Sequence, residues 1–233
     1  MTPKEKRMLI LNPLLEELGA DGYFMYNGYL YRVDRAAKYC VAIHVQLYSN
    51  GCIKQVSVAY GTFYRKLEFD RRYGVALGEL VMLGSIPGWH LCSNAKEADA
   101  YCRDAAEEIV GRMKKVILPG LRRIKDIPSF IKVAEDFDGF HPMALWQEER
   151  AWDYMAIGQR ERAYQFLDSL IHHPLYEAEG LPHNTVTLCQ LLDQLHGLDD
   201  KSVQMELEKR VVRSEHSCQD FFGVRRWNTI SNI

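Results

Sequence analysis

Between Tyr23 and Tyr64 the side chains alternate with period two, in runs rich in aromatic and β-branched residues, and two Asn-Gly pairs, Asn27-Gly28 and Asn50-Gly51, interrupt the pattern. An Asn-Gly pair between strand-like runs is the strongest short-range hairpin signal, because the central positions of a type I′ turn need positive φ. The segments 23–26, 29–33, 39–48 and 53–64 therefore read as four strands of an antiparallel meander. In the third of these, Cys40, Ala42, His44, Gln46 and Tyr48 share one face, and Val41, Ile43, Val45 and Leu47 share the other. The aliphatic face is expected to be the buried one.

Such a meander needs helices to cover it, and the flanking sequence supplies them. Thr2-Pro3 suits an N-cap and first helical position, and Met8, Leu11, Leu14, Leu15 and Leu18 recur at helical intervals up to a stop at Gly19. This predicts a helix over about residues 3–18, bent or split at Pro13. The stretch from Gly74 to Cys92 is apolar but contains Gly78, Gly84 and Gly88, and its pattern leaves loop and strand open. From a cap at Ser93 or Asn94, apolar residues at helical spacing predict a long second helix running to Leu118-Pro119, with a shorter one over 129–137. Beyond Pro142 strand signals disappear. Helical patterns appear over 144–157, 160–172, 186–196 and 202–212, and the tail after Ser217, with Phe221, Phe222 and Trp227, shows no clear period. Tyr154, Gly158, Ala163 and Phe166 are similar to the turn region of one tetratricopeptide hairpin, but an array needs about three such units, so a single hairpin packed on the first half is expected. The fold class expected is α+β. An N-terminal helix and antiparallel meander covered by a long helix occupy 1–138, and an all-helical region with a tail occupies 139–233.

Composition narrows the function classes. The first 138 residues carry 20 basic against 17 acidic side chains and the remainder 9 against 14, so neither half has the basic excess that would point to nucleic acid. No run approaches 18 uninterrupted apolar residues, so no membrane partner is expected. The six cysteines are widely spaced, with no Cys-x-x-Cys pair and no secretory leader ahead of them, which reads as reduced thiols in a cytoplasmic protein.

The segments "LNPLLEELGADGYF" (11–24) and "YLYRV" (29–33), followed by two long strands and a helix reaching Pro119, resemble the bacterial family known as domain of unknown function 4304. The resemblance covers the first 120 to 138 residues. It implies a scaffold and, from the family's occurrence among bacterial accessory genes, a binding role such as toxin immunity; it implies no catalytic residue.

The residues themselves carry none of the common catalytic signatures: there is no P-loop, no Gly-x-Gly-x-x-Gly, no Gly-x-Ser-x-Gly and no His-Glu-x-x-His. His172, His173 and His183 match no zinc spacing, and no metal or cofactor is expected. Cys40 and His44 stand about 13 Å apart along one strand, too far for a nucleophile and its base. Tyrosines crowd the meander, and tyrosine joins a large contact area to a polar tip, which suits binding. Ordinary sheet propensity and packing under the helices account for them more simply. Arg32, Arg35, Arg65, Arg71 and Arg72 near the sheet would favour acidic or phosphate-bearing partners. The basic cluster Lys114, Lys115, Arg122, Arg123 and Lys125 also serves as compensation for a helix C-terminus. The sequence thus points to a non-enzymatic factor that binds a protein partner, such as a toxin, through Tyr29, Tyr31, Arg32, His44, Tyr48 and Arg72. The alternative is an enzyme or nucleotide-binding protein with a site between the halves, drawing on His44, Arg32 and Arg72.

Overall fold

Thr2 caps the first helix, α1 (Pro3–Leu18), in a reciprocal box with Glu5, and Pro3 opens it. Pro13 lies inside α1 without splitting it. α1 stops where expected, with Gly19 as its C-cap; a 3₁₀ turn then spans Gly19–Asp21, and Gly22 rather than Gly19 turns left-handed, at φ 83°.

In the computed structural model the chain is described over residues 1–65, 67, 69–70, 74–75, 79–83, 92–137, 149–172 and 182–230. The strands are β1 (Phe24–Tyr26), β2 (Tyr29–Asp34), β3 (Tyr39–Leu47), β4 (Ile53–Thr62), β5 (Phe69–Asp70), β6 (Gly74–Val75) and β7 (Glu79–Leu83). An antiparallel sheet runs in the order β1-β2-β3-β4-β7, and β5 and β6 form a separate two-stranded ribbon. The open stretch 74–92 therefore holds a fifth sheet strand. Asn27 and Gly28 both have positive φ, at 48° and 80°, as a two-residue I′ hairpin requires. At the second pair only Gly51 does, and the Asn50 side chain instead accepts a hydrogen bond from the Cys52 amide at 3.0 Å.

After Asn94, which caps with its side chain, come α2 (Ala95–Arg112), a π-helical turn (Met113–Ile117), α3 (Leu118–Arg122) and α4 (Ile127–Phe137). Pro119 does not end the long helix, because the wider π turn precedes it and the helix continues to Arg122. Gly120 is fixed by packing: a Cβ there would lie 2.4 Å from the Phe137 ring. The helical region continues as α5 (Arg150–Ala156), α6 (Arg160–Ile171), α7 (Pro182–Gly197), α8 (Asp200–Phe222) and α9 (Val224–Ile230). The fold is α+β, and the expected boundary near Asp138-Gly139 falls outside the described residues.

Both faces of the sheet are buried, not the aliphatic one alone. Val41, Ile43 and Val45 pack with Ile10, Leu14 and Ile109 of α1 and α2. Tyr31, Cys40 and Ala42 on the opposite face pack with Cys218, Phe222 and Trp227. The tail after Ser217 is thus the end of α8 plus α9, and it covers the sheet. The helix read over 202–212 runs on because its inward row Val203, Leu207, Arg210 continues as Ser214, Cys218 and Phe222, a row whose apolar spacing the Ser214 hydroxyl interrupts. Those polar members have partners: Ser214 Oγ donates to the Phe63 carbonyl at 2.8 Å and accepts from the Leu67 amide at 2.9 Å. Arg210 reaches Glu149 at 2.6 Å and lies over the Trp152 ring at 3.8 Å.

A buried charge pair fixes the helical half against the end of β4. Asp153 of α5 and Arg65 are both 0% exposed; Arg65 Nε donates to Asp153 Oδ2 at 2.6 Å, and the Thr62 hydroxyl donates to Oδ1. Such a pair adds little over an apolar substitute, but losing one member strands the other charge in the interior. Asp153→Asn is expected to destabilise the chain by about 3–5 kcal/mol in urea denaturation. A loss below about 1 kcal/mol would show that the pair is solvated rather than buried.

Candidate functional site

Sequence neighbours on a strand face opposite ways, and this separates the residues chosen from the sequence. Tyr29 and Tyr31 lie on the face covered by α8 and α9, where Tyr31 is 0% exposed and packs edge-on to Phe222 with ring centroids 5.1 Å apart. They form a packing surface inside the chain, not an exposed one. Burial pushes the Tyr31 hydroxyl well above the ordinary phenol range, and it makes no hydrogen bond among the described residues. His44 is half-buried and stacks on Tyr29 with centroids 4.2 Å apart. Tyr48, half-buried beyond the irregularity at Gln46/Leu47, has the Lys54 ammonium 6.0 Å from its ring. Arg72 lies outside the described residues.

Arg32 faces the other way, and it lines a cleft of about 480 Å³. Three parts of the chain meet there: the 3₁₀ turn after α1, the β2–β3 connection, and the turn from α3 to α4, with Ile230 of α9 at one side. They bring four cations, Arg32, Arg35, Arg122 and Lys125, against two carboxylates, Asp21 and Asp34.

Each cation is held differently. Arg32 lies 5.2 Å from the centroid of the Tyr39 ring, and Asp34 is 3.8 Å away, an ion contact too long to be a hydrogen bond. Asp34 itself accepts from the Ala37 amide at 2.8 Å, which shapes the turn. Arg35 stacks on Trp227 at 4.8 Å and reaches Glu215 at 4.0 Å, so α8 and α9 position it. Arg122 is committed to the protein, donating to Asp21 at 2.9 Å and Glu17 at 3.2 Å. Lys125 stands in the turn that Asp126 and Ser129 tie together, with the Lys125 amide donating to Ser129 Oγ at 2.9 Å. Behind Arg32 is the buried Tyr23 hydroxyl, which feels the charges of Arg32 and Asp21 and has no hydrogen-bond partner among the described residues.

The arrangement offers guanidinium donors from Arg32 and Arg35 and the Lys125 ammonium at one concave place, its lining holding four cations and two carboxylates. Planar donors of this kind match carboxylate and phosphate oxygens. Of the six residues selected from sequence, Arg32 is here among those described. Arg35, Arg122 and Lys125 were visible as basic residues, but about ninety positions separate the two pairs, and nothing local shows that they converge. Among the described residues no cluster of His, Cys, Asp or Glu has the arrangement to hold a metal ion, and no helix is long and apolar enough to cross a membrane. Comparison with protein-family models, curated proteins and solved structures finds no match. The likeness to domain of unknown function 4304 therefore rests on the segments quoted above.

His44 gives a pH prediction. Burial, aided by the nearby Arg7 charge, lowers its pKa from about 6.5 to about 4. Between those values the unfolded chain binds a proton that the folded chain refuses, so stability is expected to fall as pH drops from about 6.5 to about 4. In His44→Gln that part of the slope should disappear from denaturation curves; an unchanged slope would assign the loss to other groups.

Proposed function

We propose that this chain is a non-enzymatic binding protein whose basic cleft takes an acidic segment of a protein partner. The observation that supports this reading is the convergence of Arg32, Arg35 and Lys125, from separate elements, around one cleft whose lining holds four cations against two carboxylates. Arg35 is already placed by Trp227, and Arg32 by the Tyr39 ring, so little side-chain entropy is lost when a carboxylate docks. Charges at such a rim steer encounter and fix register, and their effect weakens as salt rises. An accessory or immunity role, in which the partner is a toxin, is the specific form this reading takes from the family resemblance.

The experiment is affinity purification of the tagged chain from its own cells, beside an Arg32→Glu/Lys125→Glu variant. A stoichiometric protein that is captured by the native chain, released between about 0.1 and 0.5 M salt and missing from the variant is expected. Equal capture by both chains would place the interface elsewhere. A retained nucleotide with no protein would move the cleft to the enzyme or nucleotide-binding reading.

A further inference from the structure

α8 presents two opposite rows. The inner one packs at one end on α5 through Val203 and Leu207, and at the other on the sheet through Cys218 and Phe222. The outer row runs Lys201, Met205, Glu208, Lys209, Val212 and His216, all exposed. A helix face turned only to water gains nothing from large apolar side chains, yet here Met205 is 48% and Val212 51% exposed. Met1, Val116 and Val224 are exposed as well, but each stands singly in the chain, as surface apolar residues commonly do. Met205 and Val212 are seven residues apart, which is two helical turns, so they lie on one line about 10.5 Å from each other, with Glu208 and Lys209 between them. The stems of Lys209 and Arg213 add apolar surface to the stripe. Among the described residues, the shallow groove that these side chains form with His216 is lined by α8 alone.

We propose that this stripe is a homodimer interface, in which α8 pairs antiparallel with α8 of a second copy about a two-fold axis running between Glu208 and Lys209. The order of residues along the stripe selects that occupant. In this register Met205 meets Val212 of the second copy, and Val212 meets Met205 of the second copy, so each exposed apolar side chain is covered by the other. Glu208 meets Lys209 of the second copy, and the symmetry repeats the pair. The Gln204 side-chain amide donates to the Glu208 carboxylate at 2.8 Å, which holds that charge on the outer face. One surface thus supplies both the apolar pairs and the opposite charges, as a self-complementary two-fold contact requires. Lys201 and His216 meet at the ends, where solvent screens them. An in-register parallel pair would instead set Glu208 against Glu208 and Lys209 against Lys209, and that repulsion selects against it.

A single helical stripe covers less than the roughly 800 Å² per partner of a standard interface, so the dimer is weak and fills as concentration rises. No α8 residue is in the described lining of the basic cleft, so the two surfaces are tested separately.

The test is sedimentation velocity of the full chain at low salt, from about 1 to about 300 µM. The native chain is expected to move from monomer towards dimer over that range, and Val212→Glu to remain monomeric throughout. Lys209→Glu places like charges across the axis and is expected to raise the dissociation constant about tenfold or more. Glu208→Lys/Lys209→Glu restores opposite charges and is expected to recover the dimer, a result that a merely misfolded chain would not give. Arg32→Glu/Lys125→Glu, which alters the cleft, should dimerise as the native chain does. A native chain still monomeric at the highest concentration would overturn the proposal, as would a dimer indifferent to Val212→Glu. A double charge swap as weak as Lys209→Glu alone would overturn the antiparallel register and the proposal with it.

Discussion

Everything in this structure depends on the sheet having two apolar faces. A meander with one aliphatic face could rest on α1 and α2 and leave the other face in water. Here the second face carries Tyr29, Tyr31, Cys40 and Ala42, and leaving them exposed would forfeit about 1.5–3 kcal/mol for each large side chain. The chain therefore has to come back over its own N-terminal half, and α8 and α9 do so with Phe222 and Trp227. The aromatic packing is specific as well as apolar: Tyr26 donates to the Phe221 carbonyl at 3.0 Å and Arg226 to the Met25 carbonyl at 2.9 Å.

That return sets the position of the cleft. Trp227 fixes Arg35, and Ile230 forms one wall, so the last helix contributes to a site whose other cations come from β2 and from the turn between α3 and α4. The Arg65–Asp153 pair holds the helical half in place beyond the end of β4, where Thr62 stands opposite Tyr39. The buried charges Arg65, Asp153 and Arg210 fix the positions of the helices, whereas the cations of the cleft sit at its surface among Asp21, Asp34, Glu17 and Glu215.

Much of the local structure was legible in the sequence. The Thr2 cap with Pro3 behind it, both Asn-Gly turns, the Asn94 cap and the helical hairpin around Gly158 follow from rules that act within a few residues. What could not be read is long-range. Ser214 interrupts the apolar period of α8, because its partner, the Phe63 carbonyl, is about one hundred and fifty positions away. The tyrosines were read as a binding surface for the same reason: a sheet face covered by a distant helix and one left open for a partner have the same composition. The cleft combines residues from within 20–24 and 32–36 with Arg122, Lys125 and Ile230, so no motif marks it.

The most direct test of the cleft's role is to follow backbone amide shifts by NMR while a short oligo-glutamate peptide is added at low salt. The account expects the shifts to concentrate at Asp21, Arg32 to Ala36, Arg122 to Lys125 and Ile230, and to collapse when salt is raised. Shifts centred on another surface, or spread evenly over the exposed lysines and arginines, would contradict it.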